Sequence, residues 1–306
     1  MNNRTFLLSA IAAILIGVST SVFAQEDPLR KYCPEGNCLE IGKKPRPGYK
    51  YYSEVHVIKA DEIPRRADWN GALYLPQNKL QDAIARVADG GTIYLHKGEY
   101  DYSALSWRRR ASFNIEAWDF DPVILRPTAQ CLVVDPVFHP TKDEPVITLK
   151  NLGIAPQNLQ GESCIVVENA TLALLNVEVN LSDVTRKQGI HVRSGTLITD
   201  GTAFRGPGLQ EVPMSATNEG VVVDPGATIK TVDSVFMDMK VGVRITAAQG
   251  IAALEAKEAP HFSKTAFLSN SNGMVVEGDA KIVEQSKFEG NAVGCLLYTS
   301  PSPRDS

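Results

Sequence analysis

The spacing of apolar positions changes once along this chain. Between residues 76 and 100, Leu80, Ala83, Ile84, Val87 and Ala88 fall at i, i+3, i+4, i+7 and i+8, which places one apolar stripe on a short helix. Asn78 is positioned to cap its start and Gly90 to stop it. A β-branched and aromatic run from Thr92 to Leu95 then predicts a strand, and Lys97-Gly98-Glu99-Tyr100 predicts a turn out of it.

Beyond Tyr100 the helical period almost vanishes. Short apolar strands recur between Gly, Asn and Asp turns, beginning with Val123-Ile124-Leu125, Leu132-Val133-Val134 and Val146-Ile147-Thr148-Leu149. The second half is self-similar. Gly189, Gly220, Gly242, Gly273 and Gly294 lead successive units spaced 31, 22, 31 and 21 residues apart, and Phe204, Phe236, Phe267 and Phe288 recur later in each unit. Periods of this length indicate a solenoid. Two or three short strands per unit, with no obligatory helix, argue against leucine-rich, ankyrin and tetratricopeptide arrays. The long spacings predict insertions: a loop over 207–218 and an Ala- and Glu-rich segment over 247–259 that reads as a short projecting helix.

The order helix, two-glycine break, short strand and Gly-containing turn ending in Tyr100 resembles the opening of right-handed parallel β-helix proteins of the pectin lyase-like superfamily. In those proteins a helix covers the first coil, which would otherwise expose apolar core and unpaired strand groups. The resemblance extends over residues 76–294 and is one of architecture; the repeats do not select a member family. It implies an all-β right-handed parallel β-helix with an N-terminal capping helix.

Composition changes the picture mainly at the two ends. The chain has 306 residues, 43% hydrophobic content and a formal charge of −4, so it can bury a large core and carries no basic excess for nucleic acid. Arg4, the apolar run from Phe6 to Val18 and the small residues before Gln25 predict a secretory signal peptide over 1–24. The expected location is therefore secreted or periplasmic, in a bacterium. No further run is long enough to span a membrane, so no integral segment is expected after cleavage. Residues 25–75, rich in charge and Pro, read as an N-terminal extension or linker. Residues 295–305 read CLLYTSPSPRD, which resembles a translated sequencing-library adapter. Residues 295–306 are accordingly expected to be a non-native tail on a C-terminally truncated solenoid. Of five cysteines, Cys33 and Cys38 bracket a turn that could close a small disulfide. Cys131 and Cys164 could pair if they lie on adjacent coils, or stay free within a stack.

Strand alternation identifies candidate chemistry. With Ile190, Val192, Val221, Val223, Val243, Ile245, Met274 and Val276 inward, one outward column is Val166, His191, Val222, Arg244, Val275. Its neighbour is Glu168, Arg193, Asp224, Thr246, Glu277. In the resembled superfamily, substrate lies along such a face. Polysaccharide lyases there need a cation for a uronate carboxylate and a base for the C5 proton, roles open to His191, Arg193 and Arg244. Glycoside hydrolases need paired carboxylates, a role open to Glu168 and Asp224, which could alternatively hold Ca²⁺. The competing reading is a ladder of ordinary cross-strand charge pairs, each worth roughly 0.2–1 kcal/mol.

Arg108, Arg109 and Arg110 could grip an acidic sugar, with Trp107 or Trp118 stacking on a pyranose; as a solvated loop they would do neither. His139 and His261 read as surface or turn histidines. The paired-Asp, Gly-His-Gly and Arg-Ile-Lys signatures of polygalacturonases, the Gln-Asp and Asp-Phe patterns of pectin methylesterases and the Asp-Pro-His-Asp of alginate epimerases are not found, nor is a phosphate loop or a serine-hydrolase elbow. The expected partner is an acidic extracellular polysaccharide, acted on by lyase or hydrolase chemistry. The alternative is a non-catalytic envelope or adhesion solenoid.

Overall fold

The structure, a computed structural model, describes residues 50–64, 71–119, 122–136, 143–157, 162–182, 188–208, 218–246, 260–277, 281–282 and 285–298. The chain divides into two compact units, 1–47 and 48–306, and every described residue belongs to the second. The signal peptide, the Cys33 and Cys38 loop, His139, residues 209–217 of the expected loop, the helix expected in 247–259 and residues 299–306 lie outside the described residues.

All strand pairs are parallel, and the chain winds as a right-handed parallel β-helix with three faces. The first face carries ten strands: Leu73–Pro76 at its edge, then Tyr52–Ile58, Val87–Leu95, Phe113–Ala117, Val146–Lys150, Ala170–Leu175, Gly195–Asp200, Thr228–Val232, His261–Ser263 and Lys281–Ile282. The second face is built from Gly153–Ile154, Glu178–Asn180, Ala203–Arg205, Val235–Met237, Ala266–Leu268 and Lys287–Glu289. The third is built from Ser163–Val167, Gln188–Val192, Glu219–Val223, Val241–Ile245, Asn272–Glu277 and Val293–Tyr298. Two long strands, Gly98–Trp107 and Val123–Val134, run from the second face onto the third. The two separate runs read at Val123 and Leu132 are thus one strand.

Corners between the first and second faces repeat a single backbone device. Asn151, Asn176, Gly201, Asp233 and Lys264 follow register-matched strand ends, and all have φ between 46° and 59°. Asn and Asp tolerate this left-handed region better than most residues, which is why they punctuate the sequence there. The Asn176 side-chain amide donates to Asn151 Oδ1 at 3.0 Å, linking successive corners.

Inside, the leading glycines and the recurring phenylalanines belong to one stack. In register, Leu125, Ile154, Val179, Phe204, Phe236, Phe267 and Phe288 follow one another up the second face. The Phe204–Phe236, Phe236–Phe267 and Phe267–Phe288 rings stack at 4.6, 5.3 and 4.7 Å. Across from them a Cβ on Gly220, Gly242 or Gly273 would lie 2.5 Å from the carbonyl oxygen of the next glycine in the ladder, and 2.8–3.2 Å from a Phe ring carbon. Close approach of two rungs, rather than an unusual φ, demands glycine there. The residues expected to point inward on the third face, Ile190 through Val276, are all at most 5% exposed.

Three expectations change at the N-terminal end. The helix is Leu80–Arg86, two turns long, without a side-chain cap from Asn78. Val87 and Ala88 instead open the strand Val87–Leu95, because Val87 pairs with Tyr52 and is fully buried there. The regular coils also begin before residue 76, since Tyr52–Ile58 and Leu73–Pro76 are rungs of the first face. At the other end, Val293–Tyr298 pairs with Asn272–Glu277, so the boundary expected at Gly294 falls within a strand. Cys131 and Cys164 form a disulfide between adjacent rungs of the third face, and His261 opens a first-face strand rather than a turn.

Candidate functional site

The third face presents a column of charged side chains at the ends of its strands. Their register follows from backbone bonds: the amides of Asp135, Glu168, Arg193, Asp224 and Thr246 donate to the carbonyls of Trp107, Val134, Val167, Val192 and Val223, at 2.7–3.0 Å. Trp107 pairs with Val134, so Arg108 extends the column by one rung. From one end it reads Arg108, Asp135, Glu168, Arg193, Asp224, Thr246, Glu277.

Successive rungs lie roughly 4.8 Å apart, close enough for these side chains to meet. Arg193 Nη1 donates to Glu168 Oε1 at 2.8 Å. His191, two residues before Arg193, reaches the other way: its Nε2 lies 2.9 Å from Asp224 Oδ2, though off the line a hydrogen bond requires. Asp135 has Glu168 as a like-charged neighbour. Burial, and then the Glu168 charge, raise the Asp135 carboxyl above the usual Asp range; Arg108, a hydrogen bond from Asn169 and Arg193 pull the other way. Two carboxyl groups in adjacent rungs therefore sit in contrasting surroundings, one beside a like charge and one bonded to a guanidinium.

Arg108, Glu168, Arg193, Asp224 and His191 come together as one group. Arg244 does not join them. Its Nε and Nη2 both reach Glu219 Oε1, at 2.8 and 2.7 Å, and the Glu219 side chain is only 8% exposed. Trp107 and Arg109 are also removed from the surface role expected of them. Trp107 is 2% exposed and packs on Phe113 with ring centroids 4.3 Å apart. Arg109 lies over the Trp107 and Tyr51 rings, both at 4.6 Å, and donates to the Val87 carbonyl. Pairing with Val134 draws Trp107 inward, and Arg109 packs over its ring. The column containing His191 is likewise no open groove floor, because Val166, Val222 and Val275 are 3–6% exposed.

Asp135 and Glu219 were missed in the sequence. Asp135 was within reach: it follows Val133-Val134 as Glu168 follows Val166-Val167, so carrying the alternation one coil earlier finds it. Glu219 was not, since it precedes a leading glycine and its side chain runs along the strand to a residue on the next rung. Among the described residues no three His, Cys, Asp or Glu side chains gather as a metal site, and Glu168 with Asp224 has no third such ligand for Ca²⁺. No described helix is long and apolar enough to cross a membrane.

Compared with protein-family models, curated proteins and solved structures, the chain finds no match in any of the three. The functional reading therefore rests on the fold and on the charged column.

Proposed function

We propose that this is an exported β-helix protein of the pectin lyase-like type that binds an acidic extracellular polysaccharide along its third face and cleaves it by hydrolysis. The observation that carries the reading is the in-register sequence Arg108, Asp135, Glu168, Arg193, in which two carboxyl groups are flanked by two guanidinium groups. The guanidinium groups are suited to uronate carboxylates on either side of the bond to be cut. Asp135, with its raised pKa, is suited to protonate the leaving oxygen. Glu168, one rung away, is suited to act as the partner carboxylate. Retaining glycosidases place such groups about 5–5.5 Å apart, close to one rung spacing. Hydrolysis is favoured over β-elimination because two of the three side chains suited to lyase chemistry, His191 and Arg244, face Asp224 and Glu219.

The test is release of reducing ends from polygalacturonate and alginate by the full chain. Asp135→Asn and Glu168→Gln should each lower turnover at least a hundredfold while far-UV circular dichroism is unchanged. Activity should fall as pH rises through the raised Asp135 pKa, because the acid form is then lost. Unsaturated products would identify a lyase and reject this assignment of groups.

A non-catalytic envelope or adhesion protein is the second reading. Its supporting observation is the mutual pairing of Arg193 with Glu168. It predicts salt-sensitive binding of the same polymers without turnover, unaltered by Asp135→Asn.

A further inference from the structure

The first face carries a group of side chains that the charged column does not use. Near its N-terminal end the outward positions of four neighbouring rungs hold Tyr74, His56, Tyr94, His96 and Trp118, in strands that pair His56 with both Tyr74 and Tyr94. The five rings form one connected cluster. His56 stacks on Tyr74 at 4.8 Å and meets the edge of Trp118 at 5.0 Å. Tyr94 meets Trp118 at 4.9 Å, and His96 stacks with Trp118 at 5.4 Å. His56 Nδ1 and His96 Nε2 approach to 3.1 Å.

Burial within this cluster is graded. His56 is 5% exposed and acts as its floor, Tyr74, Tyr94 and His96 are half-buried, and Trp118 is 37% exposed. Five rings on the outside of a solenoid are not needed for its core, which is filled from the inward positions of the same strands by Val55, Val57, Ile93, Leu95, Ile115 and Ala117. Beside the cluster, Glu116 is in register with Tyr94 and is ion-paired to Lys150 at 2.7 Å, so the charge there is balanced.

From this arrangement we infer that the Trp118 cluster is a sugar-binding platform for an uncharged pyranose ring, separate from the charged column and on a different face. Size and chemistry select the occupant. A stable protein partner covers about 800 Å² on each side, whereas of the five rings only Trp118 is exposed. A membrane-binding surface pairs its apolar groups with lysines or arginines, and none of the five side chains is either. A pyranose has an apolar face of C–H groups that stacks on an indole and a rim of hydroxyls that exchange hydrogen bonds. The phenol and imidazole groups around Trp118 offer such bonds. A neutral ring fits this surface better than a uronate, which would meet the Glu116 carboxylate while Lys150 is already ion-paired to it.

Affinity electrophoresis of the full chain through gels containing xylan, galactan or xyloglucan tests the inference. The expected result is retardation by at least one of these neutral polymers, unaffected by Arg193→Ala and little changed by added salt. Trp118→Ala should weaken it at least tenfold, and Trp118→Phe should recover part of the loss. Circular dichroism of both variants should match the unaltered chain. Retardation by polygalacturonate should be unchanged in Trp118→Ala, which keeps failure of the platform distinct from failure of the charged column. Absence of retardation in all three neutral gels would overturn the inference, as would retardation that survives Trp118→Ala or is lost in Arg193→Ala. Self-association abolished by Trp118→Ala, without sugar binding, would make the patch a contact between copies and also overturn it.

Discussion

Two stretches of this solenoid, the early coils over residues 50–134 and the late coils over 188–294, fill the same three-faced cross-section with different material. The late coils stack like on like. Phenylalanine lies on phenylalanine up the second face, glycine lies under glycine on the third, and Asn270 and Asn291 repeat one side-chain bonding pattern at consecutive corners. The early coils use unlike residues. Tyr100 donates its buried hydroxyl to Val57 O at 2.9 Å, Trp107 packs on Phe113, and the disulfide joins Cys131 to Cys164. Outward aromatic rings gather on the first face of these coils. Repetition suits the middle of a stack, where each rung has the same neighbours above and below. The early coils also meet the helix Leu80–Arg86, so their environments differ from rung to rung and their side chains differ with them.

Truncating the late stack should have the largest effect. Phe236 is fully buried between Phe204 and Phe267, so Phe236→Ala leaves a cavity with rings on both sides and should cost about 3–5 kcal/mol. Urea unfolding followed by circular dichroism reads this directly, and a loss below about 1 kcal/mol would show that the stack does not hold the late coils.

Acid should distinguish the early coils. Burial first, and the charge of His96 second, lower the His56 pKa from 6.5 to about 4. The unfolded chain binds the proton more tightly, so the neutral form contributes stability in full above pH 6.5. That contribution is lost as pH falls from 6.5 through 4. A shift of this size corresponds to about 3 kcal/mol. His56→Gln should remove this component, measured as a smaller change in urea midpoint between pH 7 and pH 4; an unchanged pH slope would show that His56 is solvated.

The smallest expected effect separates two glycines that look equivalent in the repeat. A Cβ at Gly242 would lie 2.5 Å from the Gly273 carbonyl oxygen and 3.0 Å from the Phe267 ring, and so would force the rungs apart. At Gly294 the nearest atoms belong to Phe288, at 3.5–3.8 Å, an ordinary contact. Gly242→Ala should therefore cost about 1–3 kcal/mol, while Gly294→Ala should be nearly neutral. Equal melting temperatures for the two variants would refute the close-approach argument.

The sequence by itself determined the period of the late coils, their inward residues and the column containing Glu168, Arg193 and Asp224. Each of these depends on alternation along a strand and on a repeat whose register is marked by Gly and Phe. It also carried most of the positive-φ corners, because Asn, Asp or Gly occupies four of the five; Lys264 gives no such signal. Only the tertiary structure decided which groups meet across rungs. Glu219 captures Arg244, Trp107 is drawn into the core where its strand pairs with Val134, and Asp135 becomes the neighbour of Glu168; each of these pairs is 25 or more positions apart in sequence. The same holds for the helix end at Arg86, where pairing of Val87 with Tyr52 overrides an apolar stripe that would otherwise continue. Local spacing specifies which face a side chain occupies, but its partner depends on how many residues each coil inserts before the next rung, and no short window of sequence contains that number.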